Sequence, residues 1–182
     1  MFKAYAEKKL QQMEAHYDYN VDYMRYILEA DGKAFFKFSL FQIMSNHTGD
    51  LPPAIYSAAT IRAALVDDCG PCIQLVVDMA IEAGVPEKVV AAIVAGRRDE
   101  LPDDIAATVG FTDLVMAHNP EADELREVLL EKFGDKGLVA ISFAIASARV
   151  YPALKYALGY GKTCHKVKVG TEALAPVLAV PA

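Results

Sequence analysis

Prolines and glycines divide this chain into segments that each have the length of one α-helix. Pro53, Pro86 and Pro102 stand where a helix can begin, and Gly84 and Gly134 stand where one can end. No segment alternates apolar and polar residues in the way that a half-buried β-strand does. The pattern therefore predicts an all-α helical bundle of about seven to eight helices, without strands.

We expect the chain to form one domain over residues 1–182, since a chain of this length can bury one substantial core. Its parts are predicted as N-terminal helices over 1–50, a core over 51–162 and an extended C-terminal tail over 163–182. Hydrophobic residues make up 54% of the chain, and a monomer of this size would expose much of that apolar surface. A buried interface between identical subunits is therefore predicted.

A row of tyrosines and a long apolar segment are predicted to have packing roles. Tyr19, Tyr23 and Tyr26 recur on one face of a predicted second helix, where packing in the core or at an interface is their simplest role. The apolar run over 136–158 is predicted to be the central buried helix, with a kink at Pro152.

Charge and hydropathy exclude several classes of partner. The formal net charge of −6 argues against binding to nucleic acid or to anionic membrane surfaces. Residues 1–13 mix charged and apolar side chains, unlike the uninterrupted apolar middle of a secretory signal. The most apolar early run, 34–44, is too short to cross a bilayer. We therefore expect a cytoplasmic protein without a membrane or nucleic-acid partner.

Cys69 and Cys72 flank Gly70 and Pro71 at the predicted start of an almost wholly apolar helix. The free N–H groups and the macrodipole at a helix N-terminus stabilise thiolate, which is the reactive form of cysteine. A pair with this spacing can form a mixed disulfide at one thiol and resolve it with the other. The arrangement favours redox chemistry that needs no cofactor.

Two acidic residues, Asp67 and Asp68, precede this pair, and they have two opposing effects on it. Asp67 or Asp68 is expected to cap the helix that begins at the pair, because a carboxylate accepts hydrogen bonds from the free amides there. Negative charge near a thiol, however, disfavours thiolate. The sequence leaves open which of the two thiols is exposed.

Two other interpretations of the cysteines remain open. Cys69 and Cys72 can provide half of a zinc site, with Cys164 and His165 as further ligands, although adjacent residues chelate one tetrahedral metal poorly. They can also be inert buried residues, since cysteine often packs as a small hydrophobe. The glycine-proline insert and the acidic residues favour the redox interpretation, so no metal is predicted.

Cys69-Gly70-Pro71-Cys72 follows the alanine-rich segment 51–66 and precedes Ala83-Gly84-Val85-Pro86. Together with Leu101-Pro102 and the apolar segment after Gly137, these residues resemble the carboxymuconolactone decarboxylase superfamily, and more closely its alkylhydroperoxidase D-like branch. The resemblance implies an all-helical homo-oligomer, commonly a trimer or a hexamer, in which the cysteine pair supplies the peroxidatic and resolving thiols. It also implies a peroxide or disulfide substrate and a thiol reductant.

The chain departs from that branch at two positions. The branch has a histidine four residues after the second cysteine, which would fall on Val76, and a glutamate before the first cysteine, which would fall near Ser57. Asp67, Asp68 and Gln74 are close enough in sequence to form a substitute proton relay.

Three further polar residues stand in apolar surroundings. Tyr56 and Arg62 are the polar exceptions on the segment before the cysteine pair, and we expect them to line a pocket. Arg149 is isolated in an apolar segment and needs a carboxylate partner, for which Asp67 or Asp68 is predicted.

The expected function is that of a thiol-disulfide oxidoreductase or a peroxidase-related antioxidant protein acting through Cys69 and Cys72. One alternative is a non-catalytic helical oligomer that binds an apolar ligand or partner, with structural or redox-sensing cysteines. Another is a lyase similar to the lactone decarboxylases of the same superfamily, although these lack the cysteine pair.

Overall fold

A computed structural model describes residues 2–161 and 167–175. Over these residues the chain forms eight α-helices, one 3-10 helix and a two-stranded β-hairpin. The elements are α1 (Phe2–Tyr17), α2 (Asp22–Ala30), α3 (Gly32–Ser45), α4 (Pro53–Val66), α5 (Gly70–Glu82), α6 (Glu87–Ala95), the 3-10 helix (Arg98–Glu100), α7 (Asp103–Met116), α8 (Ala122–Ala157), β1 (Val167–Val169) and β2 (Glu172–Leu174). The predicted all-α class is confirmed, and the prediction that the chain has no strand is wrong.

Helix α4 lies at the centre of the main core and packs against α5, α6, α7 and α8. Nine of its 14 residues are buried, and four of those nine are alanines. Small side chains allow neighbouring helices to approach α4 from every side, which a helix lined with large residues would prevent. The central position therefore belongs to α4 and not to the predicted segment 136–158, which leaves Val139, Phe143 and Val150 partly exposed.

Glycine and proline set the helix boundaries largely as predicted. Helix α4 begins at Pro53, and Gly96, in the left-handed conformation with φ 67°, ends α6. Gly134 interrupts α8 with φ 65° and ψ −178°, so α8 consists of two helical pieces that meet at this residue. Pro152 lies inside the second piece, where the backbone angles stay helical.

The three N-terminal helices form a second hydrophobic cluster beside the main core. Its buried members are Ala6, Leu10, Tyr19, Val21, Tyr23, Met24, Leu28 and Phe35. Tyr19 lies before α2 and not within it, because the Asn20 side chain accepts a hydrogen bond from the Asp22 amide at 3.0 Å and the helix begins there. Tyr19 and Tyr23 are buried as the packing interpretation predicts, whereas Tyr26 is half exposed.

The C-terminal hairpin is held against the start of α5. Strands β1 and β2 pair antiparallel, with Val167 opposite Leu174. Val167 and Val169 face the core, and the residue between them, Lys168, exchanges two backbone hydrogen bonds with the Gln74 side chain. A three-residue strand is too short to show an alternating pattern in the sequence. The rest of the predicted tail, 162–166 and 176–182, lies outside the described residues.

Among the described residues, α8 is the one helix that is long and apolar enough to span a membrane by length and composition. Within the protein, 44% of its most apolar stretch is buried. Ala140, Ile141 and Ala144 on its inner face are completely buried in the main core. This one-sided burial is what a helix packed onto a protein core shows.

Candidate functional site

Cys69 and Cys72 lie together at the beginning of α5. Their sulfur atoms are at disulfide-bonding distance, and their Cα atoms are 5.2 Å apart. Cys69 is the N-cap residue of the helix and is completely buried, whereas Cys72 lies in its first turn and is 5% exposed. The two residues that the sequence predicts to be catalytic are therefore brought together, and Cys72 is the less buried of the two.

A buried group of two tyrosines and a lysine adjoins Cys72, and we call it the lysine-tyrosine cluster (Tyr19, Tyr23 and Lys155). The Tyr19 hydroxyl lies 3.9 Å from Cys72 Sγ, and Lys155 Nζ lies 3.2 Å from the Tyr19 hydroxyl. The ammonium group also sits over both rings, 4.4 Å from the centre of the Tyr19 ring and 5.1 Å from that of Tyr23. Lys155 is only 2% exposed, so its amino group is buried within two contacts of the sulfur.

The direction of these hydrogen bonds follows from the chemistry of the groups. Burial raises the pKa of Tyr19 to about 12 and raises that of Tyr23 above its usual range, so both phenols keep their protons at neutral pH. An ammonium group only donates hydrogen bonds. The Tyr19 oxygen therefore accepts from Lys155, and the Tyr19 proton can be donated to Cys72 Sγ.

Asp67 and Asp68 do not cap α5, whose first turn has no side-chain cap. Asp67 instead accepts two hydrogen bonds from Arg149, each at 3.3 Å, which confirms the predicted carboxylate partner of this arginine. Asp68 has a left-handed backbone with φ 45°, and its carbonyl oxygen accepts from the Tyr156 hydroxyl at 2.9 Å. The acidic cap prediction is wrong because the first carboxylate is turned towards α8.

Gln74, predicted as a relay candidate, makes contacts that anchor the C-terminal hairpin. Its amide nitrogen donates to the Lys168 carbonyl at 3.0 Å, and its amide oxygen accepts from the Lys168 N–H at 2.8 Å. The same nitrogen donates to Asp78 at 2.9 Å. Burial raises the pKa of Asp78, although the hydrogen bond from Gln74 opposes this effect.

Tyr56 and Arg62, predicted to line a pocket, make hydrogen bonds that connect parts of the fold. The Tyr56 hydroxyl donates to the Ser45 carbonyl oxygen, and burial raises the pKa of this tyrosine. Arg62 donates to Asp113 at 2.7 Å and to the Ile93 carbonyl oxygen at 3.2 Å, which ties α4 to α7 and α6. Burial raises the pKa of Asp113, and the arginine partly offsets that effect.

The other residues considered from the sequence are the possible metal ligands and the two positions where the resembled branch has a histidine and a glutamate. No group of three or more histidine, cysteine or acidic side chains is placed to hold a metal ion in the part of the chain that the structure describes. Cys164 and His165 lie outside that part. Ser57 is buried, and Val76 is partly buried against the main core. Serine and valine do not titrate near neutral pH, so neither position supplies the acid or base that the resemblance implies.

Tyr19 and Lys155 are not among the residues that the sequence predicts for the site. Lys155 carries one weak signal, which is that it and Arg149 are the two charged residues in the apolar stretch 137–157 of α8. Tyr19 carries none, because its proximity to Cys72 arises from the packing of the N-terminal cluster. Comparison of the chain with protein-family models, curated proteins and solved structures found no match.

Proposed function

We propose that this protein is a thiol-disulfide oxidoreductase related to the alkylhydroperoxidase D-like peroxidases, with Cys69 and Cys72 as its redox pair. The observation that carries the proposal is that the two sulfur atoms lie at disulfide-bonding distance at a helix N-terminus. The Tyr19 hydroxyl also lies 3.9 Å from the sulfur of Cys72, the less buried cysteine. Helix termini and donors of this kind favour thiolate, which is the form that reacts.

The order of the helices supports the same proposal. The alanine-rich α4 precedes the cysteine pair, α5 begins at the pair, and α6 to α8 follow with short connections. This is the order in which the motifs that resemble the alkylhydroperoxidase D-like branch occur along the chain. The resemblance concerns the main core, whereas the N-terminal cluster adds Tyr19 to the proposed site.

The proposed reaction with a peroxide has two steps on the protein. The Cys72 thiolate attacks one peroxide oxygen, the O–O bond breaks, and an alcohol or water leaves after taking up a proton, so Cys72 becomes a sulfenic acid. The Cys69 thiol then attacks that sulfur, water leaves, and the disulfide forms. Two equivalents of a thiol reductant restore both thiols and are themselves oxidised to a disulfide.

The surface supports the proposal of a homo-oligomer, of which a trimer or a hexamer is the form implied by the resemblance. Helix α3 exposes Phe36, Leu40 and Ile43, which are spaced to lie on one face. The neighbouring α8 exposes Val139 and Phe143. Large apolar side chains that are grouped in this way are typical of a surface covered by another subunit.

The burial of the cysteines favours a second candidate, which is a structural or redox-sensing disulfide in a non-catalytic protein. Cys69 is completely buried and Cys72 nearly so, which restricts access for a substrate. An inert pair would form once and then resist thiol reductants.

Turnover of the purified protein distinguishes the two candidates. Peroxide consumption and disulfide reduction would be followed with dithiothreitol, glutathione and a dithiol protein as reductants. We expect turnover in the wild type and in Cys164→Ser, and its loss in Cys69→Ser and Cys72→Ser. Absence of turnover in the wild type with all three reductants would overturn the enzymatic proposal, whereas equal turnover in all variants would show that the pair is not responsible.

A further inference from the structure

We propose that Tyr19 is the hydrogen-bond donor to the Cys72 thiolate and that Lys155 is a positioning residue that orients the Tyr19 hydroxyl. This assignment rests on the proposed function, because it describes how the same cysteine pair is made reactive. It identifies a group that can stabilise the thiolate in a site where Val76 and Ser57 cannot, because neither side chain is an acid or a base.

The contacts connect Lys155, Tyr19 and Cys72 in one chain. Lys155 Nζ lies 3.2 Å from the Tyr19 hydroxyl, and that hydroxyl lies 3.9 Å from Cys72 Sγ. Since the ammonium group cannot accept, the phenol proton is directed away from Lys155 and towards the sulfur. The lone pairs of a thiolate are the matching acceptor, and its negative charge strengthens the bond relative to a neutral thiol.

Burial increases the effect of the positive charge on Cys72. Tyr19 is 4% exposed and Lys155 is 2% exposed, so little water screens the interaction between the ammonium group and the sulfur. Of the two carboxylates before the pair, Asp67 is partly neutralised by Arg149. A buried ammonium group beside the Tyr19 hydroxyl favours the thiolate form of the reduced Cys72.

The titratable and charged groups linked to Cys72 come from three parts of the fold. Tyr19 and Tyr23 belong to the N-terminal cluster, Lys155 lies on α8, and Asp67 and Asp68 precede the pair in the chain. Further along α8 and α5, Arg149, Tyr151, Tyr156 and Asp78 pair with Asp67, Ser45, the Asp68 carbonyl oxygen and Gln74. The tyrosines with a resolved shift, which include Tyr151 and Tyr156, have raised pKa values because of burial, so they remain neutral through the range in which a thiol titrates. Lys155 is the cation that contacts Cys72 through one hydroxyl.

The arrangement makes the N-terminal helices part of the site. Tyr19 comes from the segment between α1 and α2, whereas the cysteines and Lys155 come from the main core. The end of α1, just before this segment, is anchored on α5, because Tyr17 donates to Glu82 and His16 contacts that carboxylate at 3.1 Å. Tyr19 is thereby fixed over the beginning of α5 while Glu82 holds the other end.

The test measures the reactivity of Cys72 without any turnover. In a Cys69→Ser, Cys164→Ser background, Cys72 is the single thiol, and its alkylation by iodoacetamide is followed across pH by mass spectrometry. We expect Lys155→Met to raise the pH midpoint of alkylation by about one unit or more, as removal of a nearby opposite charge does. Tyr19→Phe, which keeps the ring, is expected to raise it in the same direction.

Tyr151→Phe is the matched control, because it removes a partly buried hydroxyl on α8 that pairs with Ser45 at 3.1 Å and does not contact the sulfur. We expect its pH midpoint to equal that of the background protein. Circular dichroism checks that each variant is folded. If Lys155→Met does not fold, Tyr19→Phe decides the outcome alone.

A midpoint in folded Tyr19→Phe that equals the control would overturn the assignment, whatever Lys155→Met does. Failure of the proposed function has a different signature, since it is seen as absent turnover in the wild type. Shifted midpoints together with absent turnover would retain the Tyr19 and Lys155 assignment and reject the enzyme. Normal turnover with unshifted midpoints would do the reverse.

Discussion

Replacement of Arg62 by methionine tests whether the buried ion pair holds the core helices together. The Arg62 side chain is 1% exposed and donates to Asp113, which is 14% exposed, at 2.7 Å. It also donates to the Ile93 carbonyl oxygen at the end of α6. Methionine fills most of the same volume but removes both interactions, so Asp113 remains as a carboxylate without this partner in a largely dry environment.

The expected cost follows from that burial. Removal of one partner from a buried ion pair destabilises a protein by about 3–5 kcal/mol, because the other charge is left poorly compensated. For a chain of this length, each kcal/mol lowers the melting temperature by about 2–4 °C, so the decrease should be roughly 6–20 °C. The combined variant Arg62→Met with Asp113→Leu should lose less, with a coupling energy of about 1 kcal/mol or more.

Arg149→Met provides a matched control for the same substitution on the surface. Arg149 pairs with Asp67 at 3.3 Å, but its side chain is 45% exposed and that of Asp67 is 21% exposed. A pair of this kind contributes at most about 1 kcal/mol. Urea denaturation and thermal melting followed by circular dichroism measure both variants. Equal losses in Arg62→Met and Arg149→Met would refute the reasoning from burial.

Three further predictions concern other parts of the molecule. Gly49→Ala should cost roughly 2–4 kcal/mol in urea denaturation, because Gly49 has φ +56° and an added Cβ would lie 2.7 Å from the Ala140 Cβ; no loss would show that the loop moves freely. The hydrogen bond from Tyr17 lowers the pKa of Glu82 below its usual 4.5. The stabilisation from this hydrogen bond is therefore present above pH 4.5 and is lost as the pH falls through the lower pKa of the folded state. Hydrogen exchange in α1 should accelerate in that pH range, and the acceleration should be smaller in Glu82→Gln. Ile43→Glu should dissociate the proposed oligomer in light scattering, since Ile43 is 72% exposed on α3; an unchanged mass would place the interface elsewhere.

The helix boundaries could be predicted from the sequence because they depend on local chemistry. Pro53 and Val66 bound α4 as predicted, since a proline fits a first helical turn and the next residue is a turn-forming aspartate. Gly134 interrupts α8 because it adopts a positive φ at no steric cost. The proximity of Cys69 and Cys72 likewise follows from their spacing at one helix start.

The surroundings of the cysteines could not be predicted because they depend on contacts between distant segments. Tyr19 is 53 positions from Cys72 and 136 from Lys155. Gln74 meets Lys168, 94 positions further along the chain. No periodic pattern in the sequence predicts such contacts. The sequence position of Gln74 therefore predicts a relay residue, whereas in the structure Gln74 anchors the hairpin.

The proposed function requires Cys69 and Cys72 to interconvert reversibly between dithiol and disulfide. Its most direct test is a redox titration of the native Cys164→Ser protein in thiol buffers of defined potential, with the reduced thiols alkylated and counted by mass spectrometry. We expect both thiols to titrate together, with a midpoint between roughly −270 and −120 mV, the range of known dithiol oxidoreductases. A pair that stays fully oxidised or fully reduced across that range would contradict the account and identify the cysteines as structural.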